Sequence, residues 1–235
     1  MIRDPLREVL DAAMRTPDDA GPDDLDPTEV ATLHLARRRF GVALPPPYAP
    51  RPRDPAALPI RPGGATDGAA IAAVERRAWR SRYRGVVSDA FLDGLDLGHL
   101  GRYWTGRAAV SPSARHRLLV AGRPGEVHAA VDTGPTRDDD ADPITTTTGE
   151  VRSLHVDPSV DGAGLGSALL AAAESALVAT GFTEATLWVV AGNVRARGLY
   201  ERRGWEADGA TRVDVAGTER LDEVRYRLGR ALVAP

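Results

Sequence analysis

The residues whose types and spacing suggest chemistry lie between Glu150 and Trp205. Three glycines, Gly162, Gly164 and Gly166, stand at every second position just before a long apolar stretch with helical spacing. Glycine lets a backbone turn sharply and approach a ligand closely because it has no Cβ. A helix that starts at such a loop presents free N–H groups and the positive end of its dipole. The stretch therefore predicts a loop that binds an anion such as a pyrophosphate.

Two common classes of phosphate-binding protein do not fit this pattern. No Lys-Ser or Lys-Thr follows the last glycine, as a P-loop requires, and the Gly-x-Gly-x-x-Gly spacing of a dinucleotide-binding fold is absent. A second group of residues at fixed offsets follows the next apolar stretch and makes the pattern more specific. Its members are Asn193, Ala196, Tyr200, Gly204 and Trp205.

Together, Val156-Asp-Pro…Gly164-Leu-Gly166 and Asn193…Tyr200…Trp205 resemble the GNAT superfamily of acyl-CoA-dependent N-acyltransferases. The resemblance extends over roughly residues 58–228. It implies an α/β (α+β) domain with a mixed, mostly antiparallel twisted sheet flanked by helices. It also implies direct transfer of an acetyl group to a primary amine of a small molecule or peptide within a ternary complex. Acetyl-CoA is then the cosubstrate, and no metal is needed.

The resemblance also implies a role for each matching residue. Asn193 contacts the pantetheine arm, and Tyr200, which also contacts the cofactor, protonates the leaving sulfur. The two residues are seven apart and so share a helical face. A phenol suits this role because its pKa of ~10 keeps it protonated at neutral pH, above the ~8.5 of a thiol. A strand offers backbone groups to the pantetheine arm, and its residues are Leu154, His155 and Val156. A loop cradles the pyrophosphate, and its residues are Gly162, Ala163, Gly164, Leu165, Gly166 and Ser167.

The general base is the least determined part of the predicted site. Glu150 lies on the predicted central strand, where many GNAT enzymes carry a carboxylate, and burial could raise its pKa toward neutrality. His155 on the same strand and His128 on the preceding one have the better intrinsic pKa. A water chain in place of a single base is a further alternative. Glu150 is the preferred candidate.

The glycine loop departs from the family pattern in one respect. The family opens this loop with Arg or Gln, whereas Asp161 stands here, and Ala163 replaces a frequent Arg. A carboxylate beside a pyrophosphate is repulsive, so Asp161 is expected to weaken cofactor binding. Arg195 and Arg197, just past Asn193, are expected to offset it by reaching the phosphates.

The order of predicted elements places these residues on an α/β framework. Residues 1–57 hold ten of the eighteen prolines and are predicted as a helical, Pro-rich extension and linker before the domain of residues 58–235. Aromatic residues 79, 83 and 91 fall in a predicted two-helix region. The acidic loop of residues 136–148 is either simply solvated or an acidic lip that attracts an amine. The predicted strands are 58–62, 117–121, 126–131, 150–156, 185–190, 205–208 and 224–228, with helices at 67–82, 164–181 and 193–204.

Composition limits the remaining possibilities. The chain has 235 residues and no cysteine, which excludes disulfides, Cys-ligated metals and a thiol nucleophile. A net charge of −3 gives no reason to expect nucleic acid, and no apolar run or leader indicates a membrane, so a cytoplasmic protein is expected. A homodimer is possible. Two alternatives to acetyl transfer stay open: a longer acyl-CoA, or an acyl-CoA-binding regulatory or assembly module with little turnover.

Overall fold

The computed structural model describes residues 58–138, 141–229 and 231–232. The predicted helical extension over residues 1–57 lies outside the described residues, so the division into an extension and a domain stays a prediction. The described residues form seven strands and five α-helices. In chain order these are β1 (Ile60–Pro62), α1 (Gly68–Arg82), α2 (Asp89–Asp93), α3 (Leu97–Ala109), β2 (Arg117–Arg123), β3 (Glu126–Pro135), β4 (Thr148–Val156), α4 (Leu165–Ala179), β5 (Glu184–Val190), α5 (Val194–Arg202), β6 (Trp205–Ala216) and β7 (Glu219–Leu228).

All seven strands belong to one sheet in the order β1-β2-β3-β4-β5-β7-β6. Every neighbouring pair is antiparallel except β4 and β5, which are parallel. A parallel pair needs a crossover connection, and α4 supplies it. The predicted mixed, mostly antiparallel sheet with flanking helices is confirmed.

Helices cover both faces of the sheet because the strands alternate apolar side chains between them. On one face, Leu169 and Leu177 of α4 pack against Ala129 and Val131 of β3 in the main core. On the other face, α1 and α3 pack over Val120 and Ala130 and their neighbours.

Helix α4 begins at a glycine for a conformational reason. Gly164 is the N-cap and has φ +80°, a left-handed conformation that favours glycine. The helix ends at Ala179, and Gly181, just past its C-cap, has φ +86° and donates its N–H to the carbonyl of Val178. Both glycines stand where the sequence predicts the ends of this helix.

The parallel pairing of β4 and β5 stops halfway along both strands. Their register runs from Thr148 opposite Glu184 to Val151 opposite Leu187, yet β4 continues to Val156 and β5 to Val190. The two strands therefore separate. On the other side of β4 the register with β3 shifts at the same level, which leaves Arg152 as the extra residue of a β-bulge. Bulges bend a strand and redirect side chains, often beside functional sites.

Two regions differ from the sequence prediction. Helix α3 was not predicted, because three of its thirteen residues are glycine, which weakens the helical signal. Strands β6 and β7 extend well beyond the predicted 205–208 and 224–228. In β6 the register shifts between Ala207 and Thr211, so an Asp-Gly segment that looks like a turn is an irregularity within one long strand.

Candidate active site

A cavity of about 940 Å³ is lined by β4 and β5 residues from the segments where the two strands separate. Of the twelve predicted site residues, ten line it; Glu150 and Ala163 do not. The structure thus brings the predicted loop, strand and helix residues to one place. The ten residues are Leu154, His155, Val156, Gly162, Gly164, Leu165, Gly166, Ser167, Asn193 and Tyr200.

One part of this cavity, called here the loop end, is lined by residues 160–162 and 164–167, by residues of α5 and its cap between 193 and 203, and by Arg82 of α1. The first N–H groups of α4 belong to Leu165, Gly166 and Ser167, and the helix provides no acceptor for them. Four arginines of the described chain line the loop end against one acidic residue, Asp161. They are Arg82, Arg195, Arg202 and Arg203. Backbone donors, a helix dipole and excess positive charge together fit a polyanion.

Asp161 is already neutralised by two of these arginines. Its Oδ1 lies 2.7 Å from Nη2 of Arg82 and 3.2 Å from Nη2 of Arg195. Arg197, the second arginine that the sequence offered, instead donates to the Tyr226 hydroxyl at 3.0 Å and to the Ala191 carbonyl. The carboxylate therefore meets a ligand as part of an ion-paired group.

Tyr200 and Asn193 both face the cavity from one side of α5, as their spacing predicts. Asn193 caps this helix by accepting from the Ala196 N–H at 3.1 Å, and its Nδ2 donates to the Tyr83 hydroxyl at 3.2 Å. Tyr200 is 7% exposed, and no described residue hydrogen-bonds its hydroxyl. Burial raises the pKa of Tyr200, with a smaller contribution from Tyr83. The side chain is therefore a neutral phenol whose proton is not engaged by the protein.

Glu150 occupies a different position from the one that a general base requires. It is completely buried, and its carboxylate accepts from the Arg137 backbone N–H at 2.8 Å and from Arg137 Nη2 at 2.5 Å. It does not line the cavity. A carboxylate that is engaged by Arg137 and lies away from the cavity has no direct contact with an amine bound there. The structure therefore argues against the preferred assignment of Glu150 as the base.

The other two candidate bases, His128 and His155, lie in different places relative to the cavity. His128 lines neither of the cavities described here, and burial lowers its pKa. His155 lines the cavity, with its Nε2 3.6 Å from Oε1 of Glu75. The second oxygen of Glu75 accepts from Nε1 of Trp104 at 2.5 Å. Burial lowers the pKa of His155, although Glu75 opposes this, so the imidazole is neutral at pH 7 and can accept a proton.

A second cavity, of about 730 Å³, adjoins the first. Six residues line both cavities and are called here the shared wall. The sequence indicated only His155 among them; Glu75, on a helix eighty residues earlier in the chain, carried no motif. The six residues are Glu75, Arg137, Arg152, Ser153, His155 and Ala216.

The acidic loop contributes less free charge than its composition suggests. Asp138 accepts from Nε1 of Trp188 at 3.0 Å and pairs with Arg225 at 2.7 Å. Residues 139 and 140 lie outside the described residues. Asp138 is therefore a structural partner of β5 and β7, and it gives no support to an acidic lip.

Two classes of feature are absent from the described residues. They contain no group of three or more His, Cys, Asp or Glu side chains with the geometry of a metal site. None of their helices has the length and apolar character needed to cross a bilayer.

Residues 90–205 match the family model of the Acetyltransferase (GNAT) family. The match begins in α2 and ends at Trp205, so it contains the glycine loop, both separating strands and α5. No curated protein sequence matches the chain.

Solved structures share the fold. The PaiA N-acetyltransferase from Thermoplasma acidophilum, in complex with coenzyme A, is 18% identical with a TM-score of 0.52, covering 71% of this chain and 98% of its own. The ribosomal-protein-alanine N-acetyltransferase from Brucella melitensis is 23% identical with a TM-score of 0.55, covering 72% and 98%. The protein yncA from Salmonella typhimurium, solved with its cofactor acetyl-CoA, is 22% identical with a TM-score of 0.52, covering 73% and 93%.

Proposed function

We propose that this chain transfers an acetyl group from acetyl-CoA to a primary amine, because residues 90–205 match the family model of the Acetyltransferase (GNAT) family. Transfer takes place directly, within a ternary complex of protein, acetyl-CoA and amine. The acceptor is a small molecule or a peptide. The chain has no cysteine to carry the acetyl group as a thioester, which favours direct attack by the amine.

The separation of β4 from β5 beyond Val151 and Leu187 is the observation that carries this proposal. Two parallel strands that part in this way leave backbone N–H and C=O groups of β4 available to a ligand between them. An extended pantetheine arm, which has amide groups of its own, can pair with such an edge as an added strand does. The N-terminus of α4 stands next to this gap and suits the pyrophosphate.

The charges at the loop end support a CoA ligand. Four arginines outweigh Asp161, and Asp161 is itself bound by Arg82 and Arg195. Two of the similar folds were solved with CoA or acetyl-CoA, which is consistent with this assignment. In our proposal the N–H groups of Leu165, Gly166 and Ser167 bind the pyrophosphate, and the edge of residues 154–156 binds the pantetheine arm.

Tyr200 serves as the general acid in this proposal. Its neutral phenol faces the cavity from the same helical face as Asn193. When the bond between the acetyl carbon and sulfur breaks, Tyr200 donates its proton to the thiolate. The attacking nitrogen releases its extra proton to solvent as it becomes the amide, and Tyr200 regains a proton from solvent. Burial, which raises the pKa of Tyr200, keeps the hydroxyl protonated at neutral pH, so it can donate a hydrogen bond and then its proton to the departing sulfur.

His155 serves as the general base, positioned by Glu75. The neutral imidazole accepts a proton from the ammonium form of the acceptor, and the free amine then attacks the acetyl carbon. The contact of 3.6 Å with Glu75 stabilises the imidazolium that results. Glu150 has an indirect role: its ion pair holds Arg137 in place, and Arg137 lines the cavity.

Release of free CoA tests the proposal directly. The purified full chain is mixed with acetyl-CoA and a panel of amines, and a thiol-reactive dye measures the CoA set free. The chain itself contributes no thiol, so every increase in signal reports the product. We expect release that depends on both the amine and the protein. Propionyl-CoA and hexanoyl-CoA in parallel determine whether a longer acyl group is preferred.

Calorimetry of CoA binding completes the test. Tight binding of CoA without thiol release from any amine would favour the alternative of an acyl-CoA-binding module. If CoA does not bind either, then the gap between β4 and β5 has another purpose and the proposal is wrong.

A further inference from the structure

Arg152 differs from the other arginines of the second cavity in having no acidic partner. Arg107 is paired with Asp132, and Arg137 is paired with Glu150. No carboxylate of the described residues lies within ion-pair distance of Arg152. Since guanidinium groups stay protonated in proteins, Arg152 is a cation that Asp132 and Glu150 attract only from beyond ion-pair distance.

The hydrogen bonds of Arg152 are also incomplete. Its Nη2 donates to the Pro135 carbonyl at 2.7 Å, whereas its buried Nε has no partner among the described residues. The hydroxyl of the next residue, Ser153, is likewise buried without a described partner. Buried donors in native proteins are almost always satisfied, so adjacent unsatisfied groups on a cavity wall indicate a place for an acceptor.

The fold explains why this arginine reaches both cavities. Arg152 is the extra residue of the bulge in β4, opposite the level at which β4 leaves β5. Gly134 on β3 leaves room for it: a Cβ there would lie 3.1 Å from the guanidinium carbon. Burial lowers the pKa of Arg152, the cost of holding an unpaired cation away from water.

We propose that Arg152 and Ser153 bind an oxyanion on the acceptor, so that the substrate is an amine that also carries a carboxylate or a comparable anionic group. This inference rests on the proposed acetyl transfer, whose acceptor it specifies. Glu75 and His155, on the same shared wall, receive the ammonium end of the acceptor, while Arg152 receives its anionic end. Opposite charges on one wall thus select a zwitterion such as an amino acid or an aminophosphonate.

A set of matched amines tests this inference. Glycine, β-alanine, 4-aminobutyrate and phenylalanine are each compared with the corresponding primary amide, which keeps the amine and removes the charge. 2-Aminoethylphosphonate compared with ethanolamine shows whether a phosphonate serves as well as a carboxylate. Binding is measured by calorimetry on the full chain with CoA present, and turnover is measured separately by thiol release.

The decisive variant is Arg152→Gln, with Arg123→Gln as its control. Arg123 is exposed at the end of β2 and lines neither cavity, so its replacement removes the same charge elsewhere. We expect the best anionic amine to bind the parent and the control equally, and to bind Arg152→Gln about 10- to 100-fold more weakly, as for the loss of a charge-assisted hydrogen bond. The matching amide should bind all three proteins alike.

Stability separates a binding role from a structural one. No described carboxylate lies within ion-pair distance of Arg152, and glutamine keeps an amide donor for the Pro135 carbonyl, so Arg152→Gln should melt at about the same temperature as the parent. A lower melting temperature together with an unchanged preference for anionic amines would overturn the inference. So would a parent protein that binds every amide as well as its acid. Because binding is measured without turnover, a protein that prefers anionic amines but releases no CoA would contradict the proposed function alone.

Discussion

The loop end and the shared wall of the active-site cavity differ in the chemical groups that they present to a ligand. At the loop end, backbone N–H groups of α4 face a ligand beside four arginine side chains, and the adjoining open edge of β4 belongs to the same continuous segment as the start of α4. At the shared wall they are side chains, and Glu75 on α1 meets His155 on β4 across eighty residues of sequence. Backbone geometry suits a ligand common to a whole family, whereas side chains can change without altering the fold.

This difference predicts how each region responds to substitution. Single side-chain changes at the loop end should alter affinity modestly, since the backbone provides the main contacts. Side chains that transfer protons should instead affect the rate strongly, wherever they lie.

The largest effect is expected for Tyr200→Phe. This change keeps the ring that packs beside Trp205 and Tyr226 and removes only the hydroxyl. We expect kcat to fall by about 10²–10⁴, as for a lost general acid, with little change in the KM for acetyl-CoA or in the melting temperature. Steady-state thiol release measures the first two quantities. A variant that turns over at the parent rate would mean that the thiolate takes its proton from water.

A smaller effect is expected for His155→Asn, roughly 10²-fold in kcat, because solvent can also take the proton from an amine. The pH dependence gives the sharper result. Since burial lowers the pKa of His155 below 6.5, the base is neutral at pH 7, and the parent rate should fall only as the pH drops below that value. The variant should lose this acidic limb. Glu75→Gln should move the limb to lower pH, because Glu75 raises the pKa of His155.

The Glu150→Gln variant provides the contrast to this result. The parent carboxylate is buried and held by Arg137, whose side chain is half-exposed, so replacement should destabilise the protein moderately by removing a charge-assisted hydrogen bond. The acidic limb of the rate profile should keep its pKa. Loss of that limb in Glu150→Gln, and its retention in His155→Asn, would restore Glu150 as the base.

The same difference explains how much of the site the sequence can predict. The glycine spacing, the α4 ends and the Asn193–Tyr200 pair are local features, so periodicity and resemblance locate them. The partners of Glu150 and His155 are not local. Glu150 was predicted on the correct strand, but neither its burial nor its contact with Arg137 follows from strand position alone. The bulge at Arg152 depends on the register between β3 and β4, so it cannot be predicted from a single sequence.

The smallest effect is expected for Asp161→Asn at the loop end. In the sequence alone, Asp161 opposes the pyrophosphate. In the structure, its carboxylate is bound by Arg82 and Arg195, so its main effect is to occupy two cations that could face the phosphates. Asparagine should free both arginines and strengthen CoA binding by about 1 kcal/mol at most, since all three side chains are partly exposed to solvent and salt.

Calorimetric titration with CoA at low and high salt measures this change. Asp222→Asn is the control, because Asp222 is exposed, lies outside the cavity lining and has the same charge. We expect Asp161→Asn to bind CoA a few-fold more tightly than both the parent and the control at low salt, with the advantage fading as salt screens the phosphates. Weaker binding in Asp161→Asn would show the opposite arrangement: the carboxylate then holds Arg82 and Arg195 in the positions from which they contact the phosphates, and its loss disorders them. That outcome would also break the distinction drawn above, because a single side chain would then organise the end of the cavity that the backbone is expected to control.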